Sequence, residues 1–289
     1  MPLQDSRYCL EKTNLPGGSM DIVVTGAGGY IGKHVVNKLA SLGHRVRGYC
    51  RGSVPTELFH SDVELVMEDV LTPSFTFKET EIPELVIHLA WSDGFNHNSP
   101  KHMSLISAHF DFLLKCAGLG VNHLTVLGTM HEIGYWEGEI TATTPTNPST
   151  LYGIAKDALR KSLFISTPET TGLSWLRAFY ITGDDRRNNS VFTKILEAED
   201  RGDVTFPLTS GLNLYDFLDV EELVDQLIED SMGFSEPRKR IKNLSSGAPV
   251  TLKSKVESFI THNSLEIEPI FGVFPDRPYD SPGVWGARS

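Results

Sequence analysis

From residue 20 onward the chain alternates short apolar runs with longer amphipathic stretches. MDIVVTGAGGYIGKHVVNKLASLGHRVRGYCR begins with a β-branched run, passes through a glycine turn, continues as an amphipathic helix closed by Gly43, and ends in a second short apolar run. That pattern is a β-α-β unit. VELVMEDV (63–70), ELVIHLAW (84–91) and NHLTVLGT (122–129) supply three more strand candidates. A helix is expected between the last two, over 101–119, with Leu113 and Cys116 on its apolar side. LYGIAKDALRKSLFI reads as a helix and LSWLRAFYI (173–181) as another buried strand. Strands alternating with helices at this spacing predict an α/β fold on a doubly wound parallel sheet.

Past residue 183 the elements shorten. A polar stretch (184–189) leads to a helix, SVFTKILEAEDRG. Two short strands, TFPL and LYDFLDV, and an acidic amphipathic helix, VEELVDQLIEDSM, come next. A last strand and helix, IKNLS and LKSKVESFITHN, precede a proline-rich end. This predicts a dinucleotide-sized core over 20–183 and a small C-terminal substrate-binding lobe over 184–289, with 212–232 and 241–246 returning to the core. Residues 1–19, polar and ending in PGGS, are expected to form a tail outside the fold.

Composition narrows the classes of function. The 289 residues are 40% hydrophobic and 22% charged, enough for a packed core, and the net charge of -11 argues against a polyanion-binding surface. The three cysteines, Cys9, Cys50 and Cys116, are far apart and without metal-ligand spacing, which suits reduced thiols. No apolar run is long enough to span a bilayer, and the first residues lack the order of a signal peptide. The expectation is a cytoplasmic protein with no metal and no nucleic-acid or membrane partner.

Chemistry enters with TGAGGYIG (25–32). Gly26, Gly29 and Gly32 stand three apart, directly after a strand and at the opening of a helix. Such a turn lets the backbone approach a pyrophosphate, and the helix N-terminus presents unpaired N–H groups to it, so dinucleotide binding is predicted. The second strand ends GYCRGS, with Cys50 about where an NAD-binding domain carries a ribose-reading acid and Arg51 just beyond. A cation there suits a 2′-phosphate, with Lys33 adding to the same field, and this favours NADP(H) over NAD(H). An ordinary solvated strand end is the alternative for Arg51.

The second motif is LYGIAK (151–156), which places Tyr152 and Lys156 one turn apart on a helix. Such a pair is by itself ordinary surface. Together with TGAGGYIG, the acidic turn MEDV (67–70), VIHLAW (86–91), LGTMHEIGYWEG (127–138) and LRAFYITG, it makes the chain resemble an extended short-chain dehydrogenase/reductase with a Rossmann core. The resemblance is to the group acting on nucleotide sugars, the NAD-dependent epimerase/dehydratase family, and covers about residues 20–280. It implies that Tyr152 is the general acid or base at a carbonyl oxygen, that Lys156 favours its phenolate and holds the nicotinamide ribose, and that Thr129 orients the substrate oxygen. It also implies cofactor contacts from Gly26, Gly29, Tyr30, Ile31, Gly32, Arg51, Asp69, Val70, Leu89, Ala90 and Tyr180. His88 reads as a packed histidine beside the cofactor.

What flanks Thr129 bears on the reaction. Dehydratases of the family place an Asp-Glu pair immediately after this threonine, whereas here Met130 and His131 follow and Glu132 comes one position late. Simple carbonyl chemistry is therefore favoured. The stretch resembles reductases of 4-keto-6-deoxy nucleotide sugars such as those making dTDP-6-deoxytalose. That resemblance places His131 and Glu132, with Tyr135 and Trp136, near a sugar pocket, and Asn189 and Arg277 at a nucleoside diphosphate. Tyr180 and Tyr215 stand where many relatives carry Asn and Arg. A 4-epimerase and a non-catalytic NADP sensor remain the alternatives, and a homodimer through the helix carrying LYGIAK is implied by the family.

Overall fold

The computed structural model describes residues 18–183, 186, 188–233, 238–276 and 281–288. Five strands open the chain: β1 (Asp21–Thr25), β2 (Arg45–Cys50), β3 (Val63–Met67), β4 (Leu85–His88) and β5 (His123–Thr129). Three helices connect them: α1 (Gly32–Ser41), α2 (Lys101–Ser104) and α3 (Ile106–Gly118). After β6 (Gly138–Ile140) come α4 (Leu151–Ser166), β7 (Gly172–Ala178), β8 (Tyr180–Thr182) and α5 (Val191–Asp200). Next follow β9 (Thr205–Pro207), β10 (Leu214–Tyr215), β11 (Phe217–Asp219) and α6 (Val220–Met232). The chain closes with β12 (Lys239–Leu244), β13 (Val250–Thr251), α7 (Leu252–His262), β14 (Glu268–Ile270) and β15 (Gly283–Gly286).

Seven strands form one parallel sheet in the order β12-β7-β5-β4-β1-β2-β3. The chain winds outward one way from β1 and the other way from β4, so a crevice opens between the carboxyl ends of those two strands, the usual ligand site of such sheets. The β-branched run Ile22–Val24 is fully buried, and α1 covers it with Val35, Val36, Leu39 and Ala40. Gly43, at φ +87°, closes α1, its N–H donating to Ala40 O while His44 N–H donates to Leu39 O. The opposite face of the sheet packs against α3 and α4 through Leu113, Cys116, Leu159, Leu163 and Trp175.

Three expectations about elements need correction. The helix over 101–119 is two helices meeting at Leu105. The run 173–181 is also two elements, because the chain leaves the large sheet after Ala178 and Tyr180–Thr182 pairs with β11 instead. LYDFLDV divides likewise, since β10 joins a four-stranded sheet, β13-β10-β15-β6, in which β6 comes from the middle of the chain. The C-terminal lobe is thereby stitched to residues 138–140, and its own core gathers Phe192, Ile195, Leu208, Val256 and Ile267. Among the described residues, α6 packs on α1 and β12 adds to the edge of the large sheet at β7. Cys50 and Cys116 are buried free thiols, and burial pushes Cys116 up to about 12. No helix of the described residues is long and apolar enough to cross a membrane.

Candidate active site

At the head of the crevice, Gly26 adopts φ +71° and lies so close to the end of β4 that a Cβ on it would sit 2.7 Å from Ala90 N. A Cβ on Gly32 would lie 2.1 Å from Gly26 O. The turn can therefore close only on glycine, and it brings bare backbone to the mouth of the crevice. Ile31, the residue capping α1, makes no side-chain cap bond, and the first turn of the helix carries no acid, so its positive end is left for an anion. These residues fit the pyrophosphate of a dinucleotide. The Tyr30 phenol donates to Gly183 O, tying this turn to the start of the lobe. Leu89 N–H donates to Thr25 O and Ala90 N–H to Thr25 Oγ1, which fixes the opposite wall.

The other expected cofactor residues lie around the same strand ends. Asp69 and Val70 follow β3, where Asp69 Oδ1 accepts Leu71 N–H at 3.0 Å and Val70 is buried in the core. Arg51 is exposed at the end of β2, and its Nη1 donates to Ser92 Oγ at 3.2 Å, across the crevice. His88 is a packed residue, with Nδ1 2.8 Å from Thr25 Oγ1 and Nε2 2.9 Å from His109 Nδ1. Burial holds both histidines well below their ordinary range, His109 at about 3, so the pair is neutral.

The structure brings Thr129, Tyr152 and Lys156 together. Thr129 ends β5, and Thr150 caps α4 by accepting Gly153 N–H at 3.2 Å. Gly153 allows α4 to press on the turn after β5, where a Cβ would lie 2.3 Å from His131 O. Tyr152 is thus held beside Thr129, whose hydroxyl acts against the rise that burial imposes on the phenol. Thr129 Oγ1 accepts His131 N–H at 3.3 Å, which leaves its hydroxyl proton to be donated elsewhere. One turn along α4, the buried Lys156 ammonium donates to Leu127 O at 2.6 Å and lies 3.9 Å from the centroid of the Trp91 ring. Burial pushes Tyr152 up to about 12 and pulls Lys156 down to about 7, the latter opposed by the Glu132 carboxylate.

Glu132 corrects the sequence expectation. It does not face a sugar pocket; it is fully buried behind Thr129. Its carboxylate accepts Thr129 N–H at 2.8 Å, Trp175 Nε1–H at 2.8 Å and Arg177 Nε–H at 3.1 Å. Arg160 Nε lies 3.5 Å away. Burial raises Glu132, and Arg177 beside it acts in the opposite sense. Thr129 and Glu132 form a capping box around a single 3-10 turn, and the Thr-x-x-Glu spacing was the sequence signal for it. Gly128 is part of the same arrangement, because a Cβ there would lie 2.2 Å from Trp175 Nε1.

Rings surround the reactive face of Tyr152. The His97 ring stacks on it at 5.3 Å between centroids, and His131 lies 4.3 Å from His97 and 6.5 Å from Tyr180. Tyr180 in turn packs edge-on to Tyr215 at 4.6 Å. His131, pulled down to about 3 by burial, is neutral. Asn189 is exposed one residue before Ser190, the cap of α5, whereas its neighbour Asn188 is buried and binds Ser190 N–H and the Thr193 hydroxyl. Arg277 lies outside the described residues. Sequence reasoning missed His97 and the particular place of Trp91; the density of histidines between 88 and 109 was the available signal.

A glycine-lined dinucleotide crevice joined to a threonine, a tyrosine and a lysine defines a nicotinamide-dependent oxidoreductase of the short-chain dehydrogenase type. The comparisons with known proteins agree. The model of the NAD dependent epimerase/dehydratase family matches residues 22–228. A dTDP-6-deoxy-L-talose 4-dehydrogenase (NAD(+)) of Aggregatibacter actinomycetemcomitans is 45% identical over 274 residues, 93% of this chain and 100% of that protein. Among solved structures, a UDP-N-acetylglucosamine 4-epimerase from Methanobrevibacter ruminantium M1 in complex with UDP-N-acetylmuramic acid superposes with a TM-score of 0.78 at 19% identity. It covers 94% of this chain and 90% of the other. MoeE5 in complex with UDP-glucose and NAD superposes with 0.76 at 22% identity, covering 92% and 89%. The two superpositions establish the fold, and the chain belongs to the NAD-dependent epimerase/dehydratase family.

Proposed function

We propose that this protein interconverts the C4 hydroxyl and C4 ketone of a nucleoside-diphosphate 6-deoxyhexose, with reduction of the ketone as the working direction. The observation that carries the reading is the gathering of Thr129 at the end of β5, Tyr152 beside it on α4 and the buried Lys156 ammonium one turn further, at the mouth of the glycine crevice. The dTDP-6-deoxy-L-talose 4-dehydrogenase relative supports the substrate class.

A nicotinamide, when bound, supplies or accepts the hydride. The chain's own residues handle the proton and the oxygen. Tyr152 gives its phenolic proton to the C4 oxygen in reduction and takes it back in oxidation. A buried phenol alone resists ionisation; the Thr129 hydroxyl acts against that rise, and a positive charge on Lys156 one turn away favours the phenolate. Thr129 then donates to the same C4 oxygen and orients it. Elimination of water needs a second acid and base next to Thr129, and the carboxylate that follows it in the chain, Glu132, is wholly engaged by Thr129, Trp175 and Arg177. The reaction is therefore plain redox.

For the cofactor we propose NAD(H), replacing the NADP(H) preference drawn from Arg51. Support comes from the NAD(+) of the relative's name and from the hydrogen bond that engages Arg51 with Ser92. Homodimerisation through α4 is a further reading, supported by Ile154 and Ile165 exposed on that helix.

The test is an assay of NADH and NADPH oxidation against dTDP-4-keto-6-deoxyhexose. Stoichiometric NADH consumption with formation of the 4-hydroxy sugar is expected. A C4-inverted product with no net change in cofactor would reassign the chain as an epimerase, and bound cofactor with no turnover on any nucleotide sugar would make it a sensor.

A further inference from the structure

Trp91 belongs to no role assigned above, yet its ring is held by two neighbours beside the reactive lysine. Its indole stacks on His109 with centroids 4.4 Å apart and planes 18° from parallel. Its Nε1–H donates to His102 Nδ1 at 3.0 Å. Indole can only donate, so His102 carries its own proton on Nε2, 2.8 Å from Asn96 O, to which it donates. The ring is thus fixed by a stack on one neighbour and a directed bond on another. What it presents to the site is a π face, with the Lys156 ammonium 3.9 Å from its centroid.

Among the described residues, the surroundings of that ammonium are otherwise sparse. Of its three donors, one is spent on Leu127 O. Lys156 is 3% exposed, so water does little for it. The titratable groups around it are Tyr152 on its own helix, Glu132 on the turn after β5, His88 on β4 and His109 on α3, with His97, His102 and His131 next to Tyr152. Glu132 is the anion among them, and it is already committed to Arg177. A cation so buried needs another source of stabilisation, and a desolvated indole face provides one.

We propose that Trp91 is a positioning residue whose π face holds Lys156 in the charged state that the tyrosine requires. The lysine then needs no dedicated carboxylate, which would neutralise its pull on the phenol. The neutral histidine behind the indole completes the device, since an imidazolium there would oppose the charge it supports. This deepens the reading of Lys156 given above and rests on it for the catalytic consequence.

The decisive measurement follows the Lys156 amine itself and requires no substrate. The protein is labelled with 13Cε-lysine, the Lys156 signal is assigned by its loss in Lys156→Met, and its shift is titrated with pH in the cofactor-free chain. Trp91→Leu should lower the midpoint by about one unit, roughly tenfold in proton affinity, and Trp91→Phe should fall between the two. Because a smaller side chain could disturb packing, a second arm replaces the tryptophans, four in the chain, by mono-, di- and trifluorotryptophan, which keep the shape and withdraw π density. The midpoint should then fall stepwise with fluorine count. In turnover, the alkaline limb of kcat should move down in parallel. An unchanged lysine midpoint across the fluorinated series overturns the proposal whatever the activity shows. A shifted midpoint with no turnover on the keto-sugars would uphold the Trp91–Lys156 coupling and reject the substrate instead.

Discussion

Two buried cations lie around Glu132 in the fold, and they are held in opposite ways. Arg177, 1% exposed, is held by Glu132 Oε2 at 3.1 Å and by the carbonyls of Thr141 and Ala142, a planar fork matched by fixed acceptors. Lys156, 3% exposed, has one carbonyl and one indole face. The first arrangement leaves the charge nothing to do except hold β7 against the turn after β5. The second leaves a charge under-satisfied beside a phenol, where it can act. Full pairing marks the scaffold, and partial pairing marks the chemistry.

The comparison breaks most sharply at Tyr152. Tyr152→Phe removes the exchangeable proton and should lower kcat by about 10²- to 10⁴-fold, while cofactor affinity, followed by NADH fluorescence, stays near wild type. Next in size is the scaffold side. Glu132→Ala leaves Arg177 without its anion in a dry site and should cost about 3–5 kcal/mol of stability, read from urea unfolding. If Glu132→Ala left stability unchanged and abolished turnover alone, the division drawn here would be wrong.

A pH experiment sharpens the same contrast at smaller scale. The folded Lys156 amine sits at about 7 against an ordinary value of 10.5, so the unfolded chain binds more protons between those limits. The penalty for burying the charge is complete below pH 7 and is relieved as pH rises toward 10.5, so Lys156 contributes a rise in stability with pH across that window. Lys156→Met should flatten this part of the stability profile. The smallest effect expected is at Arg51: Arg51→Ala should change the NADH to NADPH preference only a few-fold, on the scale of an exposed charge. A large loss of NADPH use alone would restore the 2′-phosphate reading.

Much of this was legible in the sequence because local rules and tertiary demands coincide there. The glycines of TGAGGYIG are needed by the turn itself, and the β-α-β rhythm around them can bury its apolar faces in few other ways. The tyrosine and lysine share a helical face by periodicity alone. Glu132 was misread because position relative to Thr129 was weighed as chemistry, when the capping-box spacing already supplied its role. Trp91 could not be read, since its meaning depends on His102 and His109, which approach it only after α2 and α3 fold back over β4. The break at Ala178 was likewise hidden, because LSWLRAFYI is apolar on both sides of that point apart from Ser174 and Arg177, and only the pairing of Tyr180–Thr182 with β11 shows that the run changes sheets.

Gly153 has the furthest-reaching consequence for how freely this sequence can drift. With His131 O standing 2.3 Å from where a methyl would be, any side chain there must lever the start of α4 outward and carry the tyrosine and lysine along as one piece. A saturation library scored for growth or turnover should therefore show an empty column at 153.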